Sequence, residues 1–355
     1  MSKKTKICLI FGGRSAEHEV SLVSAAAVFK NLNSKKYEVL CIYIRKEGTW
    51  EIVDSPLLPD QKPVPGRTRT FLPWENLGPN LAPAPDIYFP ILHGPCGEDG
   101  TIQGLLEMAD VPYVGAGVLA SAVGMDKALS KALFESSRLP VVPYRVLFEP
   151  EWARERGTLT EGILKELPFP VFVKPSNLGS SVGISKVRSP EDLEAALELA
   201  FSYDKKVIVE EGVQGREFEC SVLGNDRPAA SLPGEVIPYR EFYDYRDKYV
   251  DGKTGFVIPA KLSAALISEI QRLAVSAFKT IDGAGMARVD FFYADGPGKL
   301  YLNEVNTIPG FTEISMYPRL WEASGLPFPA LVDRLIELGF ERHKQKKRCV
   351  NWDAS

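Results

Sequence analysis

The stretch KICLIFGGRSAEHEVSLVSAAAVF, residues 6–29, decides the fold class. Ile7 to Phe11 is a short apolar run that stops at Gly12-Gly13, and a helix is predicted to start near Ser15 and run on through Phe29. A second strand is predicted over Tyr37 to Ile44 and a third over Asp86 to Leu92. Strands separated by helical segments indicate a parallel sheet of the α/β class. Between them, residues 54–85 are rich in proline and turn formers and read as a long loop or a peripheral insertion.

Further along, a small-residue stretch from Gly117 leads into Met125-Asp126-Lys127 and a helix predicted to end near Arg138, before Leu139-Pro140. Val171–Lys174, the SNLGSSVG loop, a helix over 190–201 and Val207–Glu210 read as a compact α+β unit. A third unit starts near Arg216 and continues to a helix over Ala330–Phe340, and the basic tail after it reads as a solvated end.

A chain of 355 residues suggests two or three domains. With 45% hydrophobic and 25% charged residues it can build real cores and is not disordered as a whole. Lys+Arg 42 against Asp+Glu 46 leaves a net charge of −4, which argues against a nucleic-acid partner. The five cysteines, at positions 8, 41, 96, 220 and 349, form no CxxC pair and fit free thiols in a reducing compartment. The first apolar run is too short for a signal peptide, and no run of about 18 apolar residues occurs. A cytoplasmic protein with no membrane partner is expected.

Three constellations could carry chemistry. The loop SNLGSSVG, residues 176–183, follows a strand containing Lys174, and its glycines and serines can turn donors toward an anion. It is not a Walker A loop, and a simple hairpin turn remains the alternative. In MARVDFFYADGPGKLYLNEVN, residues 286–306, the central turn makes a β-hairpin. If Tyr293 pairs with Lys299, then Asp290 faces Leu302 and Arg288 faces Glu304. Arg288, Asp290, Glu304 and Asn306 then share a face, with Asp290 and Glu304 diagonal at roughly 7 Å. Oxygen-only ligands suit Mg²⁺ held together with phosphates. An exposed hairpin with an Arg–Glu pair is the other reading. Glu17 and His18 stand at a strand-to-helix switch, where α/β sheets bind ligands. Alternatively, Ser15 caps the helix and Glu17 favours its positive end. His93, in ILHGPCGEDG, ends a strand, where a lone histidine is more often structural.

These pieces, in this order, resemble the ATP-grasp superfamily and, within it, the D-alanine–D-alanine ligase family, from about residue 5 to residue 342. The motifs are GGRSAEHEVS, LHGPCGEDGTIQGLLE, GMDK, PVFVKPSNLGSSVGISKV, FYDYRDKY, ARVDFF and NEVNTIPGFTEISM. The resemblance implies a three-domain ATP-grasp architecture of α/β (α+β) class behind an N-terminal parallel-sheet domain. Expected boundaries are 1–125, 126–214 and 215–345, with a tail at 346–355. It implies that Lys127 and Lys174 contact nucleotide phosphates and that Gly179, Ser180, Ser181 and Val182 close over them. Glu210, Glu211 and Val213 fall at the adenine hinge, and Glu217 at the ribose. Asp290, Glu304 and Asn306 match ligands of two Mg²⁺ (or Mn²⁺) ions. Glu17 matches the group receiving the first D-alanine's ammonium, with His93 nearby. Arg288 and the Gly310 amide match oxyanion positions, and Ser315 and Lys248 the contacts to the second carboxylate.

The implied reaction joins two D-alanines through a D-alanyl phosphate, giving ADP, phosphate and a dipeptide for peptidoglycan synthesis, with a homodimer as the expected assembly. The segment 234–260 resembles a lid, with Tyr243, Tyr245, Lys248 and Tyr249, whose Tyr249 hydroxyl is expected beside Ser180 and Glu17. Cys96 receives no role. A ligase joining D-alanine to D-lactate or D-serine, and a binding module without turnover, are the alternatives.

Overall fold

The computed structural model describes residues 3–61, 69–73, 77–81, 84–238, 254–296 and 298–346. Its first sheet is built from β1 (Thr5–Gly12), β2 (Tyr37–Ile44), β3 (Trp50–Val53), β4 (Arg69–Phe71) and β5 (Ile87–Ile91), with α1 (His18–Asn31) following β1 and α2 (Thr101–Met108) following β5. The strand order is β4-β3-β2-β1-β5. β2, β1 and β5 run parallel, as expected, and β3 and β4 add an antiparallel edge. Ile7, Leu9 and Phe11 enter one apolar cluster with Leu22, Val28 and Leu335, while Cys8 and Ile10 enter another with Ile102, Leu106 and Tyr113. Both faces of β1 are covered, which is why it reads as a continuous apolar run.

Two local expectations are corrected. The first helix begins at His18, not near Ser15. Ser15 Oγ is committed elsewhere, donating to the His93 carbonyl at 2.7 Å and accepting from the Glu17 amide at 3.2 Å. Gly12 and Gly13, at φ 93° and 100°, turn the chain before the helix. A Cβ on Gly12 would meet the Ile44 carbonyl at 2.2 Å, so only glycine fits. The second correction concerns 54–85, which is not wholly loop. Its β4 pairs with β3, and Trp50 packs edge-on against Phe71 at 5.9 Å.

Two helices, α3 (Val118–Met125) and α4 (Lys127–Ser136), lead into the second sheet. Asp126 separates them and caps α4 by accepting the Leu129 amide at 3.1 Å. Asp126 also accepts from Ser176 Oγ at 2.7 Å and pairs with Lys206, which ties the start of α4 to the second sheet. That sheet comprises β6 (Tyr144–Phe148), β7 (Val171–Pro175), β8 (Ser185–Val187) and β9 (Lys206–Glu211), in the order β6-β9-β7-β8 and antiparallel throughout. The helices α5 (Glu149–Glu166) and α6 (Leu193–Phe201) supply Trp152, Ile163, Leu193 and Leu197 to its core.

The third sheet holds β10 (Arg216–Gly224), β11 (Ala229–Ala230), β12 (Gly234–Ile237), β13 (Gly255–Val257), β14 (Gly285–Ala294) and β15 (Lys299–Asn306). Its order is β13-β12-β10-β14-β15, with β11 on β10. The helices α7 (Ala264–Thr280), α8 (Met316–Ala323) and α9 (Phe328–Lys346) accompany it. Leu331, Leu335 and Ile336 of α9 pack in the same cluster as β1 and α1, so the chain's end closes on its beginning. No helix among the described residues is long and apolar enough to cross a membrane.

The β14–β15 hairpin forms, but not in the predicted register. Ala294 pairs with Lys299 and Tyr293 with Leu300, and an irregularity between Asp290 and Phe291 restores Asp290 opposite Glu304 and Arg288 opposite Asn306. Phe291 pairs with Leu302, so Asn303 is skipped. The four polar residues still share one face. Asp290 and Glu304 are direct neighbours instead of diagonal ones.

Candidate active site

A cavity of about 1700 Å³ lies where the three sheets meet. Its lining includes Glu17, His93, Lys127, Lys174, Gly179, Ser180, Ser181, Glu210, Glu211, Val213, Glu217, Arg288, Asp290, Glu304, Asn306, Gly310 and Ser315. Residues from every part of the chain thus converge on one space. Val182 does not line it; its amide closes the turn onto the Gly179 carbonyl at 3.2 Å. Lys248 and Tyr249, with Tyr243 and Tyr245, lie outside the described residues. The ends of the predicted lid segment are the paired strands β12 and β13.

The buried Glu17 carboxylate enters from the β1–α1 turn and accepts a hydrogen bond from Ser180 Oγ, 163 residues away. Gly94 and Gly179 crowd its second oxygen, and a Cβ on either would stand 2.8 or 2.9 Å from Oε2. Ser180 and Ser181 have φ of 51° and 58°, and this left-handed pair folds the loop back over the cavity. Successive residues in such conformations turn backbone donors toward an anion.

His93 is buried and neutral. Its Nδ1 lies 3.0 Å from the Ile308 carbonyl, which can only accept, so Nδ1 carries the proton. Nε2 then accepts from Ser24 Oγ at 3.1 Å. Burial lowers its pKa and keeps the ring uncharged. With both nitrogens engaged, His93 joins β5 and α1 to the loop after β15. Glu98, in the same Gly-rich loop, was not singled out by the motif reading. Burial and then Glu17 push its carboxyl up to about 8, against the Gly94 and Ile308 amides that favour the ionised form. Glu98 therefore keeps a proton at neutral pH.

On the opposite wall, Arg288 makes a two-pronged contact with Asp290, Nε to Oδ1 at 2.7 Å and Nη2 to Oδ2 at 2.6 Å. Its Nε also lies 3.0 Å from Glu219 Oε2. Burial disfavours the guanidinium, but Asp290 and Glu219 outweigh it and hold its pKa well above the usual value. A planar fork gripped by two carboxylates has a fixed direction. Glu219 escaped the sequence reading; the only signal was its position two residues after Glu217 on one strand face.

Asn306 Nδ2 donates to Asp290 Oδ2 at 3.1 Å, and Lys127 Nζ lies 3.6 Å from Glu304 Oε2. Asp290, Glu304 and Asn306 offer oxygen donors on one face, with no nitrogen or sulfur ligand among them, and so fit Mg²⁺ or Mn²⁺. Among the described residues no group of three or more His, Cys, Asp or Glu side chains gathers around one point.

Lys127 Nζ also donates to the Leu178 carbonyl at 2.6 Å, holding the lysine under the glycine–serine loop. Lys174 pairs with Glu210. At the end of β9, the Glu211 and Gly212 amides donate to the Pro143 and Pro170 carbonyls at 3.0 and 2.8 Å. Ser315 opens α8, and its hydroxyl accepts the Thr312 amide at 3.0 Å. A Cβ on Gly310 would come within 2.8 Å of that hydroxyl. Gly310, expected at the oxyanion, thus lies close to Ser315, expected at the second carboxylate.

Two family models match the chain. The D-ala D-ala ligase N-terminus family matches residues 6–116 and the D-ala D-ala ligase C-terminus family matches residues 133–337. A D-alanine–D-alanine ligase of Solibacter usitatus is 49% identical over 97% of this chain and 98% of its own length. One of Heliobacterium modesticaldum is 48% identical over 98% of each. Among solved structures, the D-alanine–D-alanine ligase of Coxiella burnetii superposes with a TM-score of 0.82 at 37% identity, covering 98% of this chain and 97% of that one. The VanG D-Ala:D-Ser ligase of Enterococcus faecalis gives 0.84 at 36%, covering 95% and 100%.

Proposed function

The chain belongs to the D-alanine–D-alanine ligase family, and from that premise we infer that the cavity is where it joins two D-alanines at the expense of ATP. One observation carries the assignment of roles: Glu17, the loop at Ser180 and the Arg288–Asp290–Glu304–Asn306 face line the same space as Lys127 and Lys174. In this reading, Glu17 receives the ammonium of the first D-alanine, and Ser180 holds that carboxylate in place. The substrate carboxylate attacks the γ-phosphate of ATP, forming D-alanyl phosphate and releasing ADP. Lys127 and Lys174 offset charge on the transferred phosphoryl group, and the loop 179–181 covers it. Val213 and the apolar side chains of Phe172 and Phe292 suit the adenine, with Glu210, Glu211 and Glu217 beside the nucleoside. Two Mg²⁺ (or Mn²⁺) ions, when bound at Asp290, Glu304 and Asn306, supply further charge neutralisation at the phosphates.

The amine of the second D-alanine then attacks the acyl phosphate carbon. Arg288 and the Gly310 amide stabilise the oxyanion of the tetrahedral intermediate, which collapses with loss of phosphate. Ser315, at the N-terminus of α8, and Lys248 hold the second carboxylate. Water would hydrolyse the acyl phosphate, so the segment carrying Tyr249 is assigned the lid. The cytoplasm is its proposed compartment and a homodimer its proposed assembly. The domain boundaries 1–125, 126–214 and 215–345 are part of the same proposal.

The similarity to a D-Ala:D-Ser ligase favours D-serine as the second substrate to test against D-alanine. Release of phosphate with ATP and D-alanine, compared with ATP alone, tests the function, and product analysis with both amino acids present tests the choice. No phosphate above the ATP-only rate refutes ligation; a mainly D-Ala–D-Ser product replaces the reading with its alternative.

A further inference from the structure

A third lysine stands behind the cavity wall. Lys131 lies on α4 one turn after Lys127, so the two share a helix face, but only Lys127 lines the cavity. The Lys131 side chain is 1% exposed, and its ammonium lies 2.8 Å from Glu210 Oε1. The other oxygen of Glu210 holds the ammonium of Lys174. Tyr144, paired with Glu210 across β6 and β9, has its ring 5.8 Å from Lys131 Nζ. A buried carboxylate therefore stands between two ammoniums, one enclosed and one at the cavity surface.

The charge arrangement restricts what Lys174 can do. A buried carboxylate stripped of its partner is strongly disfavoured. If Lys174 were the sole partner of Glu210, moving to a phosphate would leave a bare charge in the interior. As a stabilising device the Lys131 pair is poor, since apolar side chains of similar volume often serve as well or better. We propose that Lys131 is a positioning residue that keeps Glu210 neutralised, so that Lys174 can leave the carboxylate and take the nucleotide phosphates. The inference rests on the phosphate role given to Lys174 above. Burial alone would raise the Glu210 carboxyl, but Lys131 and Lys174 together hold it at about 2, so with both lysines in place it is ionised at neutral pH.

The test is ATP binding without D-alanine, by calorimetry on the full chain, with Tm recorded for each variant. Lys131→Met is expected to weaken ATP binding by about tenfold or more. Lys131→Arg, which retains the charge, should stay within about threefold of the parent. In the E210Q background, adding K131M should change affinity less than about twofold, because no carboxylate remains to be neutralised. ATP binding by K131M within twofold of the parent, with or without a lowered Tm, overturns the proposal. A further tenfold loss on adding K131M to E210Q overturns it too.

If K131M does not fold, the parent crystallised with ADP decides. Lys174 Nζ on a phosphate with Lys131 still on Glu210 upholds the proposal; Lys174 remaining on Glu210 defeats it. Lys174→Met separates the two readings. Parent-like ATP binding by K174M removes the phosphate role of Lys174 itself, whereas weak binding by K174M with normal binding by K131M removes only the inference.

Discussion

Ser180→Ala takes one hydrogen bond from the Glu17 carboxylate. Glu17 is 9% exposed, its Oε1 accepts from Ser180 Oγ, and its Oε2 is crowded by Gly94 and Gly179. A hydrogen bond to a charged group contributes about 1.5–3 kcal/mol. Alanine and serine tolerate the left-handed backbone at φ 51° about equally, so little of the loss comes from the loop itself. If the contact is realised with substrate bound, kcat/KM for D-alanine falls by roughly 10- to 150-fold. The assay is phosphate release at saturating ATP with D-alanine varied, beside direct ATP binding, which is expected to change less than about threefold. A kcat/KM for D-alanine within twofold of the parent refutes the coupling of Ser180 to the first substrate's site. An equal loss in ATP affinity alone would mean the serine serves the phosphates instead.

Glu304→Gln keeps the shape of the side chain but removes a charge directly opposite Asp290. Turnover should fall by at least about a hundredfold, with the fold intact by circular dichroism; near-normal turnover at ordinary magnesium rejects the metal assignment. Gly310→Ala drives a methyl to within 2.8 Å of Ser315 Oγ. It should raise KM for the second D-alanine about tenfold while ATP binding holds, and an unchanged KM refutes Ser315 as its contact. Glu98 titrates near 8 in the fold against an ordinary 4.5, so the native state binds the extra proton between those values. Stability is therefore fully present below about pH 4.5 and is lost as pH rises toward 8. Glu98→Gln lacks that loss: its Tm should decline between pH 6 and 9 by about 2 °C less than the parent's. Parallel declines would refute the protonated Glu98.

What was legible in the sequence is what depends on neighbours along the chain. The parallel sheet showed in the apolar run Ile7–Phe11 because a strand covered on both faces must be apolar throughout. The shared face of Arg288, Asp290, Glu304 and Asn306 followed from the period of two along each strand, and survived a wrong register. The register itself was lost in two steps: pairing is already one residue off at the turn, with Tyr293 opposite Leu300, and the irregularity at Asp290 and Phe291, which skips Asn303, adds a second shift that returns the same face. The edge strand β4 is three residues long and lies among prolines, so its pairing to β3 outweighs its own weak signal.

Partnerships between distant charges were decided only by tertiary structure. Lys174, between Val173 and Pro175, was readable as a charge needing a partner, but not that Glu210 is that partner or that Lys131 shares it. Glu219 is unremarkable in the sequence, yet the pairing of β10 with β14 sets it beside Arg288. His93 drew attention as a polar residue at a strand end; only the fold engages both of its nitrogens and leaves it uncharged. The reason is common to all of these. Secondary structure and faces arise from interactions over a few residues, whereas a buried charge finds its counter-ion wherever packing brings one, and in this chain that is 36 to 79 residues away for Lys174 and Lys131 with Glu210.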